Sequence, residues 1–235
     1  MLHPQTIEFL KWLEEFNDKK FFDLYKPLYL KIKESFDNFI DEIIAEISKF
    51  DKSLEWLKAK QCVYRIYKDQ RFPRNREAPY KTNLWWFITP NWKKFNKAGY
   101  YIHIENNKSM ICWWLARPAY KDEILVKQAI VKNPKEFLKI INNKKFKDIF
   151  WWVYTIREPL KKIPKLNINI TKQQENLNKL NVKDLENLEK YLKYKDWLVD
   201  LPLKNEEALS PDFWKKIVEY CKILYPFVNF INESL

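Results

Sequence analysis

Only one glycine, Gly99, stands in the 235 residues. Glycine loops that cradle phosphate need several, so Walker and Rossmann fingerprints are excluded. Cysteine is equally thin: Cys62, Cys112 and Cys221 are too few and too scattered for a disulfide framework, which suggests a reducing compartment. The two histidines, His3 and His103, have no second histidine or cysteine at ligand spacing, so neither a metal site nor a cofactor is expected. There is no Gly-x-Ser-x-Gly elbow, and Cys62 and Cys112 lie in strand-like runs where thiols are usually inert. No apolar run nears the ~18 residues that span a bilayer. Met1 to Lys11 lacks the basic-then-apolar layout of a leader. These absences lead to a cytoplasmic protein with no membrane partner.

Arginine is the next scarce residue, and its placement is informative. Lys, Asn, Ile, Phe and Tyr, all with AT-rich codons, are plentiful, so part of the formal charge of +12 reflects codon bias. That bias depletes arginine to Arg65, Arg71, Arg74, Arg76, Arg117 and Arg157, yet four of the six fall between residues 65 and 76. A guanidinium is a planar, permanently charged fork that lysine cannot imitate. The basic field also belongs to mid-chain: Lys58 to Lys97 holds 11 basic against 2 acidic residues, while both ends are slightly acidic.

What is present is patterned. Thr6 to Phe16 reads as a short amphipathic helix, and Ile32, Phe36, Phe39, Ile40, Ile43, Ile44 and Ile47 keep helical spacing in a longer one. Four short aromatic and β-branched runs then read as strands: Cys62–Tyr67, Asn83–Ile88, Tyr100–Ile104 and Met110–Leu115. Asn106-Asn107 suits a hairpin turn, and Gly99 a positive φ before its strand. Asn133-Pro-Lys-Glu136 reads as a capped helix start, Ile149 to Ile156 as a strand, and Val182 to Tyr194 as a helix. Ser210-Pro211-Asp212 opens a final helix to about Asn232, and Lys161 to Asn181 is the most loop-like stretch. The expectation is one α+β domain over residues 1–235: a mainly antiparallel sheet of four to six strands, flanked by N-terminal and C-terminal helices.

Strand side chains alternate between faces. If the first strand continues to residue 71, Arg65, Tyr67, Asp69 and Arg71 share a face opposite Cys62, Tyr64 and Ile66. Lys81, Asn83 and Trp85 oppose Leu84, Trp86 and Ile88, and Tyr101, His103 and Glu105 oppose Tyr100, Ile102 and Ile104. One apolar face would pack on helices while the polar face floors a basic cleft. Asp69 can orient Arg65 or Arg71 through a bidentate pair. The bland alternative is a structural ion-pair network, but six cations against Asp69 and Glu77 leave charge unspent. Three tryptophan doublets (Trp85-Trp86, Trp113-Trp114, Trp151-Trp152) should each put one ring on either face. Either ring then packs in the core or stacks a ligand.

The run Arg65-x-x-Lys68-Asp69-x-Arg71-Phe72, followed by Asn75, Pro79, Tyr80 and Lys81, resembles the signature of a bacterial family, domain-of-unknown-function family 2461. The likeness extends through the Phe9-Leu10 helix, Gly99-Tyr-Tyr-Ile-His-Ile104, Pro118 and the stretch from Leu224 to Leu235. Lys68 replaces an arginine of the pattern, Arg76 a lysine, and Trp113-Trp114 stands where relatives have glycine. The resemblance implies where to look and leaves the chemistry open.

The leading reading is an anionic or phosphorylated small molecule bound by Arg65, Lys68, Arg71, Arg76 and Lys81, with Asp69, Tyr80, Trp85 and Tyr101 orienting or stacking. Nucleic-acid binding through the basic middle is the second. The third is a hydrolase acting on a phosphate or carboxylate ester, with Asp69, His103 or Tyr80 as acid or base.

Overall fold

The computed structural model describes residues 1–90, 97–115, 117–166 and 177–235. Helix α1 spans Thr6–Glu15 and α2 spans Lys19–Ile47. Asp18 starts α2 by accepting the Phe21 N–H at 2.8 Å, satisfying one of the orphan donors of a helix start. The apolar spacing read in the sequence becomes a buried stripe, with Ile32, Ile40, Ile43 and Ile47 fully covered. Short α3 covers Ala59–Cys62. The strands are β1 (Asn83–Ile88), β2 (Gly99–Glu105), β3 (Ser109–Leu115) and β4 (Trp197–Leu203), forming one sheet in the order β1-β2-β3-β4. β1 and β2 are antiparallel, with Asn83 opposite Glu105 and Trp85 opposite His103. Helices α4 (Tyr120–Lys132), α5 (Pro134–Ile141), α6 (Lys144–Phe150) and α7 (Val182–Leu192) precede β4; α8 (Asn205–Ala208) and α9 (Phe213–Ser234) follow it. This is the α+β fold expected.

The chain divides into two compact units. The first comprises Met1–Lys93, Tyr100–Cys112 and Leu201–Cys221. Its core sets Phe36 edge-on to Trp86 at 4.6 Å and stacks Phe39 on Phe213 at 5.7 Å. The second comprises Lys94–Gly99, Trp113–Asp200 and Lys222–Leu235. Trp113, Phe137 and Phe146 gather around Phe227 there, at ring separations of 4.3, 6.2 and 5.8 Å. Aromatic pairs at these separations add about 0.5–1.5 kcal/mol each beyond the area they bury. No helix among the described residues is long and apolar enough to cross a membrane.

Several expectations need correction. Cys62–Tyr67 is not a strand: Cys62 closes α3, and only Val63 and Tyr67 form isolated bridges, to Trp86 and Tyr80. Its residues suit a half-buried edge whether or not pairing is continuous. Ile149–Ile156 is not a strand either. Phe146 and Phe150, one helical turn apart and both buried, carry α6 through Phe150, and Trp151 ends it at φ 58. Trp151 and Trp152 are consequently both exposed, 68% and 56%, whereas Trp85-Trp86 and Trp113-Trp114 each divide between a buried and a half-buried ring. Gly99 has no positive φ; it opens β2 with a buried backbone. Asn133 precedes α5, with Pro134 at its start, but its side chain caps nothing, because the same residue terminates α4. Strand β4 escaped notice because Asp200 and Pro202 look like breakers; at a sheet edge proline costs no ladder bond. Of the loop-like stretch, residues 167–176 lie outside the described residues.

Candidate functional site

The arginine-rich run is a closed loop. Ile66 to Lys68 pair with Pro79 to Lys81: Lys68 N–H donates to Pro79 O and Lys81 N–H to Ile66 O, each at 2.8 Å. Between these ends the chain turns back at Asp69, where Phe72 N–H returns to the Asp69 carbonyl at 3.3 Å, and a 3-10 turn covers Pro73–Asn75. Arg65, Tyr67, Asp69 and Arg71 therefore do not line one strand face. Loops of this length with adjoining ends are compact when their own side chains fill them. Asn75 Nδ2 does so by donating to the Asp69 carbonyl at 2.7 Å, and Gln70 Nε2 by donating to the Lys68 and Asn75 carbonyls at 3.3 and 3.2 Å.

Tyr80 anchors the loop to the first unit. Its ring stacks on Phe22 at 4.0 Å and 12°. Its peptide is clamped by Asn17, which accepts from Tyr80 N–H and donates to Tyr80 O, both at 2.9 Å. Burial raises the Tyr80 phenol above its ordinary value. The ring that was expected to donate to or stack on a ligand is thus packed in the protein.

The cations are distributed unequally. Arg71 points into solvent, its side chain 88% exposed, held in a bidentate pair by Asp69: Nε to Oδ1 at 3.0 Å and Nη2 to Oδ2 at 2.6 Å. These bonds from Arg71 hold the Asp69 carboxyl down at about 2. Arg76 Nε donates to the Gln70 carbonyl at 3.4 Å, and Lys68 is half-buried. Arg65 and Lys81 come together. Lys81 Nζ donates to the Arg65 carbonyl at 2.9 Å and sits 5.2 Å from the Trp85 ring centre and 6.0 Å from that of Tyr64. Those two rings are stacked at 3.6 Å. Burial first, and then the neighbouring Arg65 charge, push the Lys81 ammonium below its ordinary range.

Arg65 also lines a hollow of about 370 Å³ with Lys33, Asp37, Lys60, Tyr64 and Leu84. Lys33 is ion-paired with Asp37 one turn along α2. Sequence reasoning missed Lys33, Asp37 and Lys60 because they come from α2 and α3, distant from the arginine run and unremarkable among many charged helix positions. Only the folded chain brings them to Arg65.

On the sheet, the alternation holds. Trp85, Tyr101, His103 and Glu105 are half-buried while Leu84, Trp86, Tyr100, Ile102 and Ile104 are buried. His103 is hydrogen-bonded on both ring nitrogens, to Tyr101 and Glu105. Among the described residues, no group of three or more His, Cys, Asp or Glu side chains could hold a metal ion.

A family model described as a conserved hypothetical protein, DUF2461, matches residues 5–230. The chain belongs to the DUF2461 family. No curated protein and no solved structure matches it. The residues of this DUF2461 chain that carried the resemblance sit in and around one loop. Asp69 and Arg71 form its ion pair, Asn75 closes it, Tyr80 anchors it, and Arg65 and Lys81 lie together at its base.

Proposed function

We propose that the protein binds an anionic small molecule, phosphorylated or carboxylated, with Arg65 as the anchor. One observation carries this reading: the Arg65 guanidinium makes no ion pair among the described residues, yet it lines a hollow shared with two further cations, Lys33 and Lys60. Asp37, the one carboxylate on that wall among the described residues, is already held by Lys33. A volume of about 370 Å³ suits a metabolite, since ligand sites run from roughly 300 to 1,000 Å³. An anion beside Arg65 would also relieve the repulsion that Lys81 feels from it. Arg71 and Arg76 are engaged within the loop and do not line this hollow. The three cysteines are buried free thiols, which suits a cytoplasmic setting.

The test is a thermal-shift series with inorganic phosphate, pyrophosphate, citrate and nucleoside phosphates. A ligand at a hundred times its Kd adds about 2.7 kcal/mol. Arg65→Ala should remove the shift and Arg71→Ala should keep most of it; a full shift in Arg65→Ala would sink the proposal.

Nucleic-acid binding is the second reading, favoured by the loop tip. Phe72 is 53% exposed, flanked by Arg71, Arg74 and Arg76, with the Arg74 guanidinium 6.0 Å from its ring centre. An exposed ring beside guanidinium groups is the arrangement on which unpaired bases stack, worth about 1–3 kcal/mol per base. Binding to mixed-sequence oligonucleotides would then fall steeply with salt. Lack of binding even at low ionic strength would end this reading.

A further inference from the structure

β2 places Tyr101, His103 and Glu105 on one side of the strand, and the three side chains are joined end to end. Tyr101 Oη lies 2.8 Å from His103 Nδ1, and His103 Nε2 lies 2.7 Å from Glu105 Oε2. The His103 and Glu105 side chains are only 13% and 14% exposed. The other Glu105 oxygen accepts from Thr82 Oγ1 at 3.2 Å and faces Lys108 Nζ at 3.8 Å. The tautomer that serves both contacts with a neutral ring has His103 donating from Nε2 to Glu105 and accepting the Tyr101 O–H at Nδ1.

Hydroxyl to imidazole to carboxylate is the order that activates an oxygen nucleophile. Here a phenol takes the place of the aliphatic hydroxyl. We infer that Tyr101 is a nucleophile activated by His103 and positioned through Glu105, acting on the phosphoryl group of an ester that lies against Trp85. Trp85 is opposite His103 in the sheet, its ring is 5.6 Å from that of Tyr101, and the Lys81 ammonium lies over it. Lys81 thereby supplies positive charge to the phosphoryl oxygens.

In the step, Tyr101 Oη forms a bond to phosphorus while its proton passes to His103 Nδ1. The bond from phosphorus to the leaving oxygen breaks, and that oxygen departs with the electron pair and takes the proton from His103. Water then hydrolyses the phosphotyrosine by the reverse route. Burial holds the resting phenol protonated, as a hydroxyl awaiting its base should be; Cys112, on β3, and Glu105 add to this. The inference goes beyond the anion hollow and does not need it, since none of the three side chains lines that hollow.

The experiment uses the full chain with diisopropyl fluorophosphate, whose fluoride leaves as a phenol oxygen bonds to phosphorus. Peptide mass mapping should find the label on Tyr101 ahead of the far more exposed Tyr120, which is 68% accessible. His103→Asn should slow labelling about 100-fold, the scale of one general base. Glu105→Gln should shift the pH at which labelling rises. Tyr101→Phe should abolish the label without changing the Arg65-dependent thermal shift, which keeps the two readings separable. Labelling no faster than at Tyr120, or equal labelling in His103→Asn, would overturn the inference. So would an imidazole nitrogen spectrum of the unmodified protein placing the proton on Nδ1, a measurement that needs no variant to fold.

Discussion

Asp69 and Arg71 illustrate how much a short spacing dictates. Two residues apart at a turn, they meet as a fork on a carboxylate; the sequence left Arg65 and Arg71 both open as partners of Asp69, and the turn brings Arg71 to it. Its electrostatic consequence is testable. The folded carboxyl of Asp69 is held at about 2 by the Arg71 bonds, below its ordinary range. A depressed carboxylate contributes above the ordinary range and loses that contribution as pH falls through about 2. Carbon-detected titration should give Asp69 a midpoint near that value, and Arg71→Ala should return it to the range of a free carboxylate. An unchanged midpoint in Arg71→Ala would mean that the pair does not persist in solution. The remaining cations were less legible. Nothing local to Arg76 shows that it turns onto the Gln70 carbonyl, and nothing local to Arg65 shows that Lys33 and Lys60 join it.

At the scale of the element, alternation succeeded where one face is buried and failed where burial is set by something other than a sheet. β1 and β2 were visible because each has a buried apolar side, and β3 because it is an aromatic and apolar run. Cys62–Tyr67 looked the same, but its burial comes from Cys62 in α3 and Ile66 beneath the loop. The hairpin between β2 and β3 is the best test of what was read correctly. Asn107 takes φ 56, where a Cβ is strained. Asn205 fastens it twice, accepting from Asn107 N–H at 2.9 Å and donating to its side chain at 3.0 Å. Asn107→Gly should hold stability within about 0.5 kcal/mol, because the strain it relieves offsets the lost side-chain bond. Asn107→Val, β-branched in the same conformation, should lose about 1–2 kcal/mol in urea denaturation. Equal midpoints for the two variants would show that the turn re-forms with negative φ.

For the molecule as a whole, the sign of the buried charge is opposite to that of the chain. Among the described residues the buried charged groups are Asp51, Asp122, Glu123, Asp196 and a single cation, Lys127. With +12 formal charge overall, the positive excess is therefore carried at the surface. That surface will attract polyanions whatever its specific ligand, so a weak association with heparin should vanish as ionic strength rises toward about 0.5 M. Retention that is insensitive to salt would instead demand a specific site.

A buried acid is costly without donors, and Asp196 in the second unit is well furnished with them. Fully buried, it accepts from Arg117 N–H at 2.7 Å, Thr155 Oγ1 at 3.1 Å, Arg157 N–H at 3.0 Å and Arg157 Nε at 2.9 Å. Arg157 continues to Glu123 at 3.7 Å, and Glu123 pairs with Lys127, so two acids and two bases neutralise one another. A sequence gives no hint of this network, because its members are scattered from residue 117 to residue 196 and none stands in a motif. Removing one charge of such a set strands its partner in a poorly solvated interior, at a cost of about 3–5 kcal/mol. Asp196→Asn keeps the shape but turns an amide donor toward donors, so it should lose stability on that scale in chemical denaturation. Replacing Glu123 and Lys127 together by Leu and Met removes a balanced pair, and should cost far less than either single change. If the double variant is as damaged as the singles, Lys127 is held by packing of its stem and not by its charge.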